Sequence, residues 1–135
     1  MSKVISFRLS GERLERLNRV ARSMNRTPGE AAALLVEEGL RMREFPAIEF
    51  RDTGIGRQAY VRGHRLPIWL LAGAAREYEY DIPAIAAHYD IRADIIAVAL
   101  DYAKTFANEI DAAIRDTDAM SERFAAQQPH HVISV

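Results

Sequence analysis

On a helical wheel, the apolar residues of the segment 28–44 do not form one stripe. Ala31, Ala32, Ala33, Leu35, Val36, Gly39, Leu40 and Met42 spread over more than half the circumference, leaving Glu37, Glu38 and Arg41 as a narrow polar stripe. A surface helix needs an apolar arc of only about 100° to pack on its own domain. One short helix hairpin cannot cover the excess, so the pattern implies a second subunit. The start of the segment is strongly specified, because Thr27-Pro28-Gly29-Glu30 is a capping box with proline at the first helical position. Such a start leaves backbone N–H groups able to hold an anion, and a DNA phosphate would suit it.

The residues before it extend the same argument. From Lys3 to Leu9 the chain alternates, with Ile5, Phe7 and Leu9 on one face and Val4, Ser6 and Arg8 on the other, the period of a half-buried strand. A lone strand this short is not stable, and its open edge again calls for a partner. Ser10 suits the N-cap of a helix to about Met24, with Leu14, Leu17, Ala21 and Met24 on one stripe. On its other face Glu12 and Arg16, then Glu15 and Arg19, stand four apart in the order that favours ion pairs. These arginines are therefore read as solvated helix pairs first and DNA contacts second. Asn25 and Arg26 form the turn between the helices.

Strand, helix, turn and helix within about 45 residues resemble the ribbon-helix-helix DNA-binding domain of the Arc and MetJ repressor type. The resemblance implies that two chains pair their strands into an antiparallel ribbon inserted in the major groove. By position it implies that Val4, Ser6 and Arg8 read bases, that Ile5, Phe7 and Leu9 lie beneath the ribbon, and that Thr27 with the following amides clamps phosphate. Val4 departs from a polar reader and offers only apolar contact, so specificity would lean on Ser6 and Arg8.

Pro46 marks the expected domain boundary, since proline ends a helix and restricts the residue before it. Residues 48–51 and 58–61 then read as short strands about Asp52-Thr53-Gly54-Ile55-Gly56, a hairpin turn more readily than a phosphate loop. Pro67 opens a third helix running to about Tyr78. Asp81 caps a short helix, Asp90-Ile91-Arg92 turns the chain, and a long helix follows with Ile96, Ala99, Leu100, Ala103, Ala107, Ile110 and Ile114 in register. Short helix, tight turn and long helix match the helix-turn-helix plan. The stretch containing Arg62-Gly63-His64-Arg65-Leu66-Pro67-Ile68 and this helix pair resembles a small domain of unknown function in Vap-type antitoxins, found beside PIN-like ribonuclease toxins.

The expected fold class is thus mainly α: a ribbon-helix-helix over 1–46, a small helical domain with a hairpin and a helix-turn-helix-like pair over 47–114, and a tail over 115–135.

Charge divides the chain between partners. Residues 1–26 hold seven basic groups against two acids, a balance of +5 that can face phosphate. Residues 77–122 hold eleven acids against three basic groups, a balance of −8 that repels phosphate and prefers a basic partner. Between them, residues 51–76 are again basic, at +4. The second helix of the helix-turn-helix-like pair offers Asp94, Ala97, Asp101, Lys104, Asn108 and Asp111, a poor surface for DNA, so residues 81–107 are assigned to protein binding. Phe124, Val132 and Ile133 are candidate apolar contacts to a toxin.

Chemistry is sparse. The chain has no cysteine, and its four histidines lack the helical i, i+4 spacing of a zinc-protease motif. Asp94 and Asp101 share a helix face, which solvation explains without metal. No enzyme, cofactor or metal site is expected. No apolar run approaches a membrane span, and the start lacks the apolar core of a signal peptide, so a cytoplasmic protein away from membranes is expected. The function expected from these readings is an antitoxin of a type II toxin–antitoxin pair. As a homodimer or higher oligomer it would bind its own double-stranded operator, repress its own transcription and neutralise a PIN-like ribonuclease toxin. A stand-alone repressor with a ligand-sensing second domain, or a protein-only inhibitor or adaptor, are the alternatives.

Overall fold

The structure is a computed structural model that describes residues 2–127. Among these residues it is mainly helical, with six helices and one two-stranded antiparallel sheet. The chain divides into two compact units, Met1–Arg41 and Met42–Val135. The division falls a little before Pro46 because Phe45 belongs with the second unit, its ring standing edge-on to Tyr102 at 5.3 Å and to Phe106 at 6.1 Å.

The first unit holds α1 (Gly11–Ser23) and most of α2 (Pro28–Glu44). Ser10 caps α1 by accepting from the Arg13 N–H at 3.3 Å. Asn25 takes the left-handed conformation at φ 57° that lets the chain turn back, and the Arg26 N–H closes the end of α1 on the Ala21 carbonyl at 2.9 Å. The capping box forms as expected, with the Glu30 N–H donating to Thr27 Oγ1 at 3.2 Å and the Thr27 N–H to Glu30 Oε1 at 3.4 Å. Ahead of these helices, residues 2–9 take no regular secondary structure, and among the described residues no strand pairs with them. A strand's N–H and C=O groups need a neighbouring edge, and residues 2–9 meet none among the described residues. On α2, Arg41 Nε donates to Glu37 at 2.6 Å, but Glu38 is buried rather than part of an open polar stripe.

The second unit begins with β1 (Ile48–Thr53) and β2 (Gly56–Val61), paired from Ile48 opposite Val61 to Thr53 opposite Gly56. The strands are longer than expected because the turn narrows to Gly54-Ile55, with Gly56 at φ +106° beyond it. The Arg62-Gly63-His64 motif is a second turn. The His64 N–H bonds the Val61 carbonyl at 3.0 Å, and Gly63 at φ +76° holds the position where a positive φ is needed. It delivers the chain to Pro67, the N-cap of α3 (Ile68–Glu77).

Asp81 caps α4 (Ile82–Tyr89), accepting from the Ala84 N–H at 3.2 Å, and Asp90 ends it at φ 53°. The expected single long helix is two helices, α5 (Ala93–Thr105) and α6 (Ala107–Gln127), broken at Phe106 with φ −110° and ψ 41°. Neither proline nor glycine marks the break. The Phe106 ring lies 4.8 Å from that of Tyr102, and the turn it makes lets α6 pack on α3 as well as α5. Residues 115–127, expected as a tail, continue α6.

The core of this unit is one cluster containing Ile48, Val61, Ile68, Leu71, Ile85, Ile96 and Tyr102, all fully buried. It joins the hairpin to α3, α4, α5 and the start of α6, with Ile114 the last α6 hydrophobic residue packed on it. No helix among the described residues is long and apolar enough to cross a membrane.

Candidate nucleic-acid and protein interfaces

In the first unit the expected DNA-reading residues are all open to solvent: Val4 at 97% exposure, with Ser6, Arg8 and Thr27 also exposed. So are two of the residues expected to lie beneath them. Ile5 is 88% exposed and Phe7 is exposed, while Leu9 is half-buried. The single chain therefore does not bring Val4, Ser6 and Arg8 together on one strand face. Leu14, Leu35, Val36 and Leu40 add exposed apolar surface, whereas the fully buried hydrophobic residues of this unit are Ala21 and Ala31.

Thr27 sits at the α2 N-terminus as expected, but its hydroxyl donates to Glu30 Oε1 at 2.8 Å. The Glu30 carboxylate thus occupies ground a phosphate would take. Arg22, Asn25 and Arg26 join Thr27 and Glu30 around a shallow hollow, so two arginines stand beside this helix start. In the sequence Arg22 and Arg26 counted only toward the +5 balance of residues 1–26 and were not singled out as phosphate contacts; the left-handed Asn25 that swings the chain back is the signal that places them there. Among the described residues neither Arg16 nor Arg19 forms an ion pair with Glu12 or Glu15, contrary to the four-residue spacing. Exposed pairs gain too little in water to hold two long side chains in place.

In the second unit the basic stretch 51–76 is largely used internally. Arg51 pairs with Glu49 and lies over the Tyr60 ring at 4.6 Å. Arg57 faces Asp52 at 3.4 Å, and Arg62 Nη2 donates to the Ile48 carbonyl at 3.3 Å. Arg76 Nη2 donates to Asp111 Oδ1 at 2.9 Å. Asp111, then Tyr80, raise the Arg76 pKa above its ordinary value, so this guanidinium stays charged throughout the accessible range.

The helix face denied to DNA in the sequence reading turns out to be concave. Ala97, Asp101, Lys104 and Asp111, with Val98, Leu100, Ala103, Ala107 and Ile110 of α5 and α6, line a groove of about 700 Å³. Ala72 and Arg76 of α3, Tyr80 and Ile82 complete it. Asp94 stands apart, bonded to Arg92 Nη2 at 2.8 Å. At Tyr80 and its neighbour Glu79 the backbone is left-handed, with φ 60° and 53°. This groove was missed because its walls join α5 and α6 to α3 and the start of α4, earlier in the chain, and because the bend between α5 and α6 has no sequence signal.

Phe124, on the distal part of α6, is 63% exposed, and Met120 one turn before it is also exposed. Val132 and Ile133 lie outside the described residues. His88 lies between aromatic rings, 5.4 Å from Tyr78 and 4.7 Å from Tyr89, and Asp94 and Asp101 gather no third ligand; among the described residues no cluster of three or more histidines or acids could hold a metal ion. Comparison with models of known families, with curated proteins and with solved structures found no match.

Proposed function

We propose that the chain is a two-partner regulator, the antitoxin of a type II toxin–antitoxin pair. Its amino-terminal unit dimerises as a ribbon-helix-helix and binds operator DNA, and its carboxy-terminal unit holds a cationic toxin of the PIN-like ribonuclease type. The observation that carries this reading is the imbalance within Met1–Arg41. Seven large apolar side chains from Val4 to Leu40 are exposed there, while the buried hydrophobic residues are two alanines. Two fully buried alanines with half-buried Leu17, Val20, Met24 and Leu34 make a thin core, which supports a second copy covering this surface. Pairing residues 3–9 with those of the partner would bury Ile5 and Phe7 on one face and align Val4, Ser6 and Arg8 on the other. Arg22 and Arg26 beside the α2 start would then take flanking phosphates once Glu30 yields. The second unit supports the other half of the reading through its −8 balance over residues 77–122. The test is co-expression with the neighbouring reading frame, scoring growth and complex formation together. Rescue of growth with a stable complex supports the antitoxin reading. A chain that shifts operator DNA but neither rescues nor binds the neighbour would be a stand-alone repressor.

A further inference from the structure

We infer that the groove between α3, α5 and α6 is a docking slot for a basic amphipathic helix of a protein partner. The inference rests on the reading that Met42–Val135 captures a cationic protein, and it names the surface and the shape of the segment captured. Four alanines, Ala72, Ala97, Ala103 and Ala107, are among the groove's lining residues and leave room for the large apolar side chains of an incoming helix. From Ala97 to Lys104, α5 runs for two turns, about 10 Å, the reach of apolar anchors at i, i+3 or i+4, and i+7 on a docked helix. A volume near 700 Å³ suits such anchors.

Charge then selects the partner. Asp111 and Arg76 neutralise each other at 2.9 Å, and the other two charged residues lining the groove, Asp101 and Lys104, are opposite in sign. Beyond the rim the balance is acidic, because Glu77, Glu79 and Asp81 are all exposed around Tyr80. Two successive left-handed residues at Glu79 and Tyr80 are a conformation that side-chain-bearing residues rarely adopt, and they hold the exposed Tyr80 ring at the mouth of the groove. There a partner's lysine or arginine can lie over the ring while its apolar neighbours cover the alanines.

The test uses the full chain and a short fluorescent peptide of leucine and lysine only, its leucines spaced three and four apart. Anisotropy should show saturable binding that weakens about tenfold in Ala97→Phe, the effect of filling one anchor pocket. Asp101→Lys, an exposed change that leaves packing alone, should weaken it severalfold, and Leu70→Ala, on an exposed face of α3 outside the groove, should not change it. The same peptide with glutamate for lysine, or with serine for leucine, should bind much more weakly. No binding by the natural chain, equal binding by Ala97→Phe that melts like the natural chain, or equal binding of the glutamate peptide would each overturn the proposal. If Ala97→Phe fails to fold, Asp101→Lys decides alone. Because neither toxin nor DNA is present, peptide binding without rescue of growth would remove the antitoxin reading and keep the slot. Rescue without peptide binding would do the reverse.

Discussion

Leu40 offers the sharpest test of dimerisation by the amino-terminal unit. It lies on α2 with 54% of its surface exposed in the single chain. Burying a leucine side chain completely stabilises by about 1.5–3 kcal/mol, so covering the remaining half is worth about 0.8–1.6 kcal/mol. A two-fold interface uses the same residue twice, so Leu40→Ala should cost the dimer about 1.6–3.2 kcal/mol. That corresponds to a dissociation constant raised about 15- to 200-fold. Alanine is at least as good a helix former as leucine, so the helix itself should persist. Sedimentation equilibrium on the full chain and the variant, with helicity followed by circular dichroism, measures both. A natural chain that stays monomeric at micromolar concentration, or a variant with an unchanged constant, would refute the reasoning.

Four further outcomes are expected. Gly63→Ala should destabilise the second unit by about 1–2 kcal/mol in urea unfolding, since a Cβ there meets no atom within 4 Å and the cost is backbone alone; an unchanged midpoint would remove the turn's requirement. Ile96→Ala, at a fully buried core position, should cost about 2–5 kcal/mol in the same assay. Burial, helped by Tyr78 and Glu77, raises the Tyr89 pKa above 10.0, so the unfolded chain loses this proton first and stability should fall as pH rises past 10.0; Tyr89→Phe should flatten that slope, and an identical slope would show that another group causes it. Truncation after Asp116 should leave the melting of the second unit nearly unchanged, because Ile114 is the last α6 hydrophobic residue on the core, yet weaken toxin capture by removing Phe124; full capture by the truncated chain would take distal α6 out of the interface.

Local signals were the most readable part of this chain. Ser10, the Thr27–Glu30 box and Asp81 each announce a helix start through side-chain chemistry confined to four residues, and each cap forms. Asn25 and Asp90 likewise mark left-handed helix ends. What escaped depends on distant contacts. The Phe106 ring packs on Tyr102 and the break there lets α6 reach α3, with no breaker residue to betray the turn. The groove gathers Ala72, Ala97 and Ala107 from three helices, and alanines spaced that far apart form no motif. In the sequence Arg51, Arg57 and Arg62 could meet a phosphate, an acidic neighbour or water; the hairpin register and the turn at Gly63 decide it, giving Arg51 and Arg57 acidic neighbours and Arg62 the Ile48 carbonyl. The alternation of residues 3–9 reads as a strand, yet residues 2–9 take no regular secondary structure and pair with no strand among the described residues.

The central claim, that Val4, Ser6 and Arg8 of a dimer meet DNA bases, is tested most directly by a mobility shift. The target is the duplex upstream of the chain's own reading frame, at fixed near-physiological salt with competitor DNA present. The natural chain should retard it as a dimer, Arg8→Ala should weaken binding by about 1–3 kcal/mol and relax base preference, and Arg19→Ala should have much less effect. Dominance of Arg19 with Arg8 silent, or tight salt-sensitive binding by residues 47–135 alone, would contradict the account.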